Sequence, residues 1–182
     1  MAYASWSVVF GEQPTASKWN ILGTNDASFN DGTGIFGLYK NLLAVDSNPY
    51  KFSASGSADA SLGNNAKVRC NTEQYDTNSN YDNATNYRYV APVNGFYHFD
   101  GHLAMLVTNN SIFDCALYKN GSIYKKGSTA FQITGGAQTI SSVASSDIQL
   151  TATDYIELYV VNSSGTFTVV TTGFTGHLIS RT

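Results

Sequence analysis

Residues 89–103, YVAPVNGFYHFDGHL, limit the possible folds of this chain more than any other stretch. Beyond Gly95 the residues alternate, with Phe96, His98, Asp100 and His102 on one side and Tyr97, Phe99, Gly101 and Leu103 on the other. A period of two belongs to a strand, because successive side chains leave a pleated backbone on opposite faces. One face is apolar and the other mostly polar, so this segment reads as a central strand of an all-β domain. Pro92 cannot donate to a ladder, and Val93-Asn94-Gly95 reads as a turn in which glycine takes a positive φ. The hydrogen-bonded strand is therefore expected to begin after Gly95.

The rest of the chain agrees with a β domain. Aromatic residues are as frequent as charged ones, 13% each, and the sequence is crowded with Thr, Ser, Asn, Gly and Tyr, which favours strands and turns over helices. A length of 182 residues allows one domain plus an extension, with a core large enough to stand without metal or disulfide. The net charge of −3 leaves no basic footprint, so neither nucleic acid nor an anionic membrane is an expected partner. No basic segment leads into a long apolar run, so the chain is expected to be made without a secretion signal or a membrane span. Cys70 and Cys115 are too few and too far apart for a disulfide framework or a zinc site, and read as free, buried thiols.

Two regions differ in character. Residues 1–49 mix aromatic residues with turn formers and show no sustained period of two, which reads as an irregular docking arm. Its apolar residues need a partner surface, and Trp6, Phe10, Trp19, Phe29 and Phe36 are the expected anchors. From residue 50 to 182, strands are expected at the spacing of a sandwich: 51–58, 66–70, 73–76, 87–91, the central strand, 113–119, 122–126, 138–143, 146–150, 155–162, 167–171 and 173–179. Asn120-Gly121 is a hairpin turn. In the loop 78–86, Asn80, Tyr81 and Asp82 are candidate ligands for a sugar or calcium, set against the simpler reading that Asn and Asp are good turn formers.

Several blocks in residues 50–182 resemble the globular C1q-like domain, which shares its fold with the tumour necrosis factor superfamily. They are Phe52-Ser53-Ala54, then Tyr75-Asp76, Tyr87 and Ala91-Pro92-Val93-Asn94-Gly95-Phe96-Tyr97-His98-Phe99, then Leu117-Tyr118-Lys119-Asn120-Gly121. Leu150-Thr151-Ala152-Thr153-Asp154-Tyr155-Ile156 follows, with Thr153 where the family usually has glycine, and Phe174-Thr175-Gly176-His177-Leu178-Ile179 matches the closing strand. The resemblance implies a jelly-roll sandwich of two antiparallel sheets, with Tyr97, Phe99, Leu103, Phe174 and Leu178 in its core. It also implies a homotrimer packed about a three-fold axis, without cofactor. The arm resembles an opening segment of small tailed-bacteriophage structural proteins, Pro14-Thr15-Ala16 leading into Trp19-Asn20-Ile21-Leu22-Gly23-Thr24-Asn25-Asp26.

The resemblance also places the closing strand, with His177, beside the central one. All three histidines are then expected to converge, and His98, Asp100, His102 and His177 become candidates for the trimer interface. The alternative to a polar interface patch is a structural metal held by His98, His102 and His177. No Gly-x-Ser-x-Gly elbow, His-Glu-x-x-His pair or P-loop occurs, and Asp147, Asp154 and Glu157 form no paired-carboxylate signature. The expectation is a non-enzymatic virion surface knob, either capsid decoration, head fibre or tail-fibre tip. It docks on another virion protein through its arm and contacts a host glycan or protein. The competing expectation is a free carbohydrate- or protein-binding module.

Overall fold

The computed structural model describes residues 48–56, 60–108, 110–132, 135–164 and 167–182. The arm anchors Trp6, Phe10, Trp19, Phe29 and Phe36 lie outside them. Asn48–Thr182 forms one compact unit. Its strands are β1 (Lys51–Gly56), β2 (Ala60–Leu62), β3 (Ala66–Lys67), β4 (Thr72–Asp76), β5 (Tyr81–Asp82), β6 (Arg88–Val90), β7 (Gly95–Val107), β8 (Ser111–Lys119), β9 (Ser122–Gln132), β10 (Gln138–Leu150), β11 (Tyr155–Ser164) and β12 (Phe167–Arg181). All pairings are antiparallel, in one sheet ordered β10-β7-β12-β1-β4 with β2 against β12, and a second ordered β5-β6-β11-β8-β9 with β3 against β11. Non-sequential neighbours such as β7 and β12 make this a jelly-roll sandwich.

The alternation in β7 holds along its length and sets the layer order. Tyr97, Phe99 and Leu103 point into the sandwich and are fully buried, while Phe96, His98, Asp100 and His102 point away from it. Phe52 of β1 stacks on Tyr81 and on Tyr89, each with ring centroids 4.8 Å apart, and Phe174 meets it edge-on at 5.0 Å. Phe174 is buried as expected, and Leu178 packs against the core from its margin. Gly176 makes room for this stack, since a side chain there would collide with the rings of Phe99 and Phe52. Cys70 and Cys115 are buried and joined in no disulfide, and burial pushes the Cys115 thiol well above its ordinary range.

Three expectations about elements change. The ladder starts at Gly95 itself, which pairs with Leu150 and Arg181. Glycine is required there for close approach, because a Cβ would come within 2.5 Å of the Ser180 carbonyl oxygen. The segments 138–143 and 146–150 form one strand, and so do 167–171 and 173–179. In each, a buried polar residue at or near the expected break is hydrogen-bonded. The Ser142 hydroxyl accepts from the Cys115 N–H at 2.7 Å and donates to the Ser128 carbonyl, and the Thr172 hydroxyl donates to the Gly56 carbonyl at 3.2 Å. These bonds let the register through β7 decide the strand length.

One pole of the sandwich is tied together by Asp154. Its carboxylate accepts from the Asn120 side-chain amide at 2.7 Å and the Thr151 N–H at 2.9 Å, and pairs with Lys119 at 3.0 Å. The Asp154 carbonyl accepts from Ala91 N–H, and the Ala91 carbonyl accepts from Thr153 N–H, each at 2.8 Å. Asn120 and Gly121 both have positive φ, the geometry of a two-residue hairpin turn between β8 and β9. Asn48 and Thr182 lie at this pole, Asn48 donating to the Leu178 carbonyl at 2.6 Å and Thr182 N–H to the Asn94 carbonyl at 3.4 Å. The described strand ends Val107, Ser111, Gln132, Gln138, Ser164 and Phe167 lie at the other pole.

Candidate functional site

The outward face of the first sheet gathers the candidate residues in rows that cross its strands. One row runs Asp147 (β10), His98 (β7), His177 (β12) and Lys51 (β1). The next holds Ser145, Asp100, Thr175 and Ser53, and a third holds Val143, His102, Gly173 and Ser55. Polar rows alternate here with exposed apolar side chains. Phe96, Leu106 and Val143 stand on the face, and Val170 and Ile179 emerge at the two bulges of β12.

His98 is the best-held group of this face. Its Nδ1 lies 2.6 Å from an Asp147 carboxylate oxygen and its Nε2 lies 2.9 Å from Asp100. A carboxylate accepts hydrogen bonds and cannot donate them, so both ring nitrogens must carry hydrogen, which only the imidazolium does. The Asp147 hydrogen bond, with Asp100 adding to it, holds the His98 pKa above the ordinary histidine value. Ser145 Oγ lies 3.4 Å from His98 Nε2, giving a Ser-His-Asp order with Asp147. An imidazolium clamped by Asp100 cannot take the serine's proton, so this arrangement does not activate a nucleophile.

The histidines converge only in part. The rings of His98 and His177 sit with centroids 5.6 Å apart, because the two residues are register partners. His102 is four residues further along β7, roughly 13 Å away at the rise of a strand. It lines a shallow depression with Asp100, Val143 and Thr175, opened by the missing side chain of Gly173. The set His98, His102 and His177 therefore does not form one metal site within the chain. Among the described residues no group of three or more His, Cys, Asp or Glu is placed to hold a metal ion.

The ligand loop is also revised. Tyr81 is a core residue, stacked on Phe52 and donating its hydroxyl to the Cys70 carbonyl at 2.9 Å. The Asp82 carboxylate is spent on its own turn, accepting from the N–H groups of Ala84, Thr85 and Asn86 and from the Asn86 amide. Those bonds, the Thr85 N–H foremost, lower its pKa to about 2. Asn80 accepts Val90 N–H at its carbonyl and the Asn78 amide at its side chain. The turn-forming property of Asn and Asp explains this loop.

Sequence reasoning missed Asp147, Ser145, Lys51 and Val143 as members of the face. Each falls at an alternating position of its strand, but the register that sets it beside β7 is not written locally.

No protein-family model matches the chain, and no curated protein matches it. Solved structures do. The globular domain of the zebrafish complement 1qA protein superposes with a TM-score of 0.56 at 16% identity, covering 73% of this chain and 98% of that one. The Eiger TNF of S. frugiperda gives 0.55 at 8% identity, covering 73% of this chain and 95% of that one. The fold of the described unit is a C1q/TNF-like jelly roll.

Proposed function

We propose that this chain is a non-catalytic homotrimeric knob on the surface of a bacteriophage particle. It self-associates through the outward face of the β10-β7-β12-β1-β4 sheet, attaches to another virion protein through residues 1–49, and presents the jelly-roll head toward the host surface. The observation that carries the reading is the face itself: five exposed apolar side chains are spread along it, Phe96 and Ile179 beside the ordered row at His98, Val143 in the row of His102, and Leu106 and Val170 toward the far end. Exposed apolar groups rimmed by organised polar ones mark protein contact surfaces. His98, Asp100, His102 and His177 then belong to the joint between protomers, with Asp147 added. The head works by contact and assembly, and no step of turnover is assigned to it. The virion setting rests on the likeness of the arm to phage structural proteins.

A second reading, a free carbohydrate- or protein-binding module, is favoured by the structural neighbours, which are named as a complement protein and a TNF. One experiment addresses both. Solution mass by light scattering is measured for the full chain, for a chain beginning at Tyr50, and for Val143→Lys in the full chain, and each is then mixed with particles lacking the protein. The expected result is trimers for both lengths, monomers for the lysine variant, and particle binding by the full chain alone. Monomers throughout overturn the assembly, while trimers that bind no particle at either length select the second reading.

A further inference from the structure

We propose that the self-association face is a proton-controlled joint, assembled while His98 is protonated between Asp100 and Asp147 and released when His98 gives up that proton. The inference rests on the self-association reading above and adds its regulation.

In the free protomer both carboxylates are more than half exposed, with side-chain exposures of 56% for Asp100 and 66% for Asp147. Water therefore solvates them whether or not His98 is charged, and loss of the proton costs little. A second copy laid over the face removes that water. The protonated cluster then enters the joint as one cation bridging two anions with both N–H groups satisfied. The deprotonated cluster enters as two carboxylates facing an imidazole with a single N–H, leaving one anion unpaired. Burial without a partner is the costly state of a charge, so assembly and protonation of His98 favour each other.

The groups facing His98 leave the direction unchanged. They are Asp147 and Ser145 from β10, Asp100 and His102 from β7, His177 from β12 and Lys51 from β1. Lys51 stands two strands from His98, roughly 10 Å away at the spacing of a sheet, too far to supply the missing N–H. His177 is adjacent but has no carboxylate partner among the described residues. The free-protomer geometry already holds the His98 pKa above the ordinary value, through Asp147 first. Assembly raises it further by the argument above. The contribution is fully present below the ordinary histidine pKa of ~6.5 and is lost as pH rises through the raised value.

The test uses the full chain, by sedimentation velocity from about pH 6 to about pH 9.5 alongside imidazole NMR, a range that spans an upward-shifted histidine. His98→Gln and Asp147→Asn are run beside it, each first checked for a cooperative thermal transition. The expected result is a wild type that passes from trimer to monomer with a midpoint following the His98 titration, and a His98→Gln variant whose mass ignores pH. Asp147→Asn should move the midpoint to lower pH. A trimer that stays intact while His98 titrates, or a His98→Gln variant that dissociates as the wild type does, overturns the joint alone. A chain monomeric at every pH overturns the self-association reading and the joint with it.

Discussion

Thr153 sits at φ 80°, a left-handed conformation that a β-branched side chain resists. It stays there because its N–H is held by the Ala91 carbonyl and its neighbour Asp154 is anchored by Asn120 and Lys119. Thr153→Gly is expected to relieve the strain, partly offset by greater freedom of the unfolded chain, for a net gain of up to about 1 kcal/mol. A urea titration monitored by circular dichroism of the strands measures it. The departure from a glycine pattern at this position was visible in the sequence, and the structure supplies its physical content. His98 was equally visible as a polar residue on a strand face, and so was Asp100, two residues on. Asp147 was not, because it lies 49 residues away and reaches His98 only through the β7–β10 register.

At the scale of elements, β7 was readable almost residue by residue because one face is apolar and one polar, which leaves a single possible orientation. β10 was harder, since Ser141-Ser142 and Ser145-Ser146 look like punctuation. These serines run through an unbroken strand, and the buried one, Ser142, is needed where β8 bulges against β9. The bulge leaves Cys115 N–H without a ladder partner, and the Ser142 hydroxyl supplies one at 2.7 Å while also reaching the Ser128 carbonyl on β9. The two sheets are thereby sealed along this edge by a side chain. Ser142→Ala should leave a buried donor unpaired and cost about 1–3 kcal/mol, read as a lower midpoint in the same urea titration. Loop 78–86 was left open between a ligand site and a self-satisfied turn for the converse reason. Its amides and carboxylates serve its own backbone, an arrangement that composition cannot distinguish from an open site.

For the whole molecule, the turn carboxylates set the acid limit. Asp82, at about 2, and Asp154, lowered chiefly by the Asn120 amide, both have folded pKa values below their ordinary ones. A depressed carboxylate contributes stability above the ordinary value of ~3.9, and that contribution is lost as pH falls through the folded value. Thermal midpoints should therefore fall as pH drops from about 4 toward 2, and Asp82→Asn should flatten that part of the profile. The sandwich, the closing strand beside the central one and the core positions Tyr97, Phe99, Leu103 and Phe174 were legible in the recurring blocks of residues 50–182, because those blocks are the turns and inward-facing aromatics of the fold. The pairing of distant strands into one charged row was not, since it depends on registers that no short stretch encodes.

The chain enters the sandwich at Asn48 and leaves it at Thr182 on the same pole, where the turns joined by Asp154 also lie. A passenger domain fused after Thr182 would therefore emerge on the pole where Asn48 begins the sandwich. A tether attached at Asn48 or after Thr182 would pull on the same end of the sandwich, where β1 begins and β12 ends. Peptides for display are better grafted between β7 and β8 or between β9 and β10, where they would project from the end opposite Asn48 and Thr182.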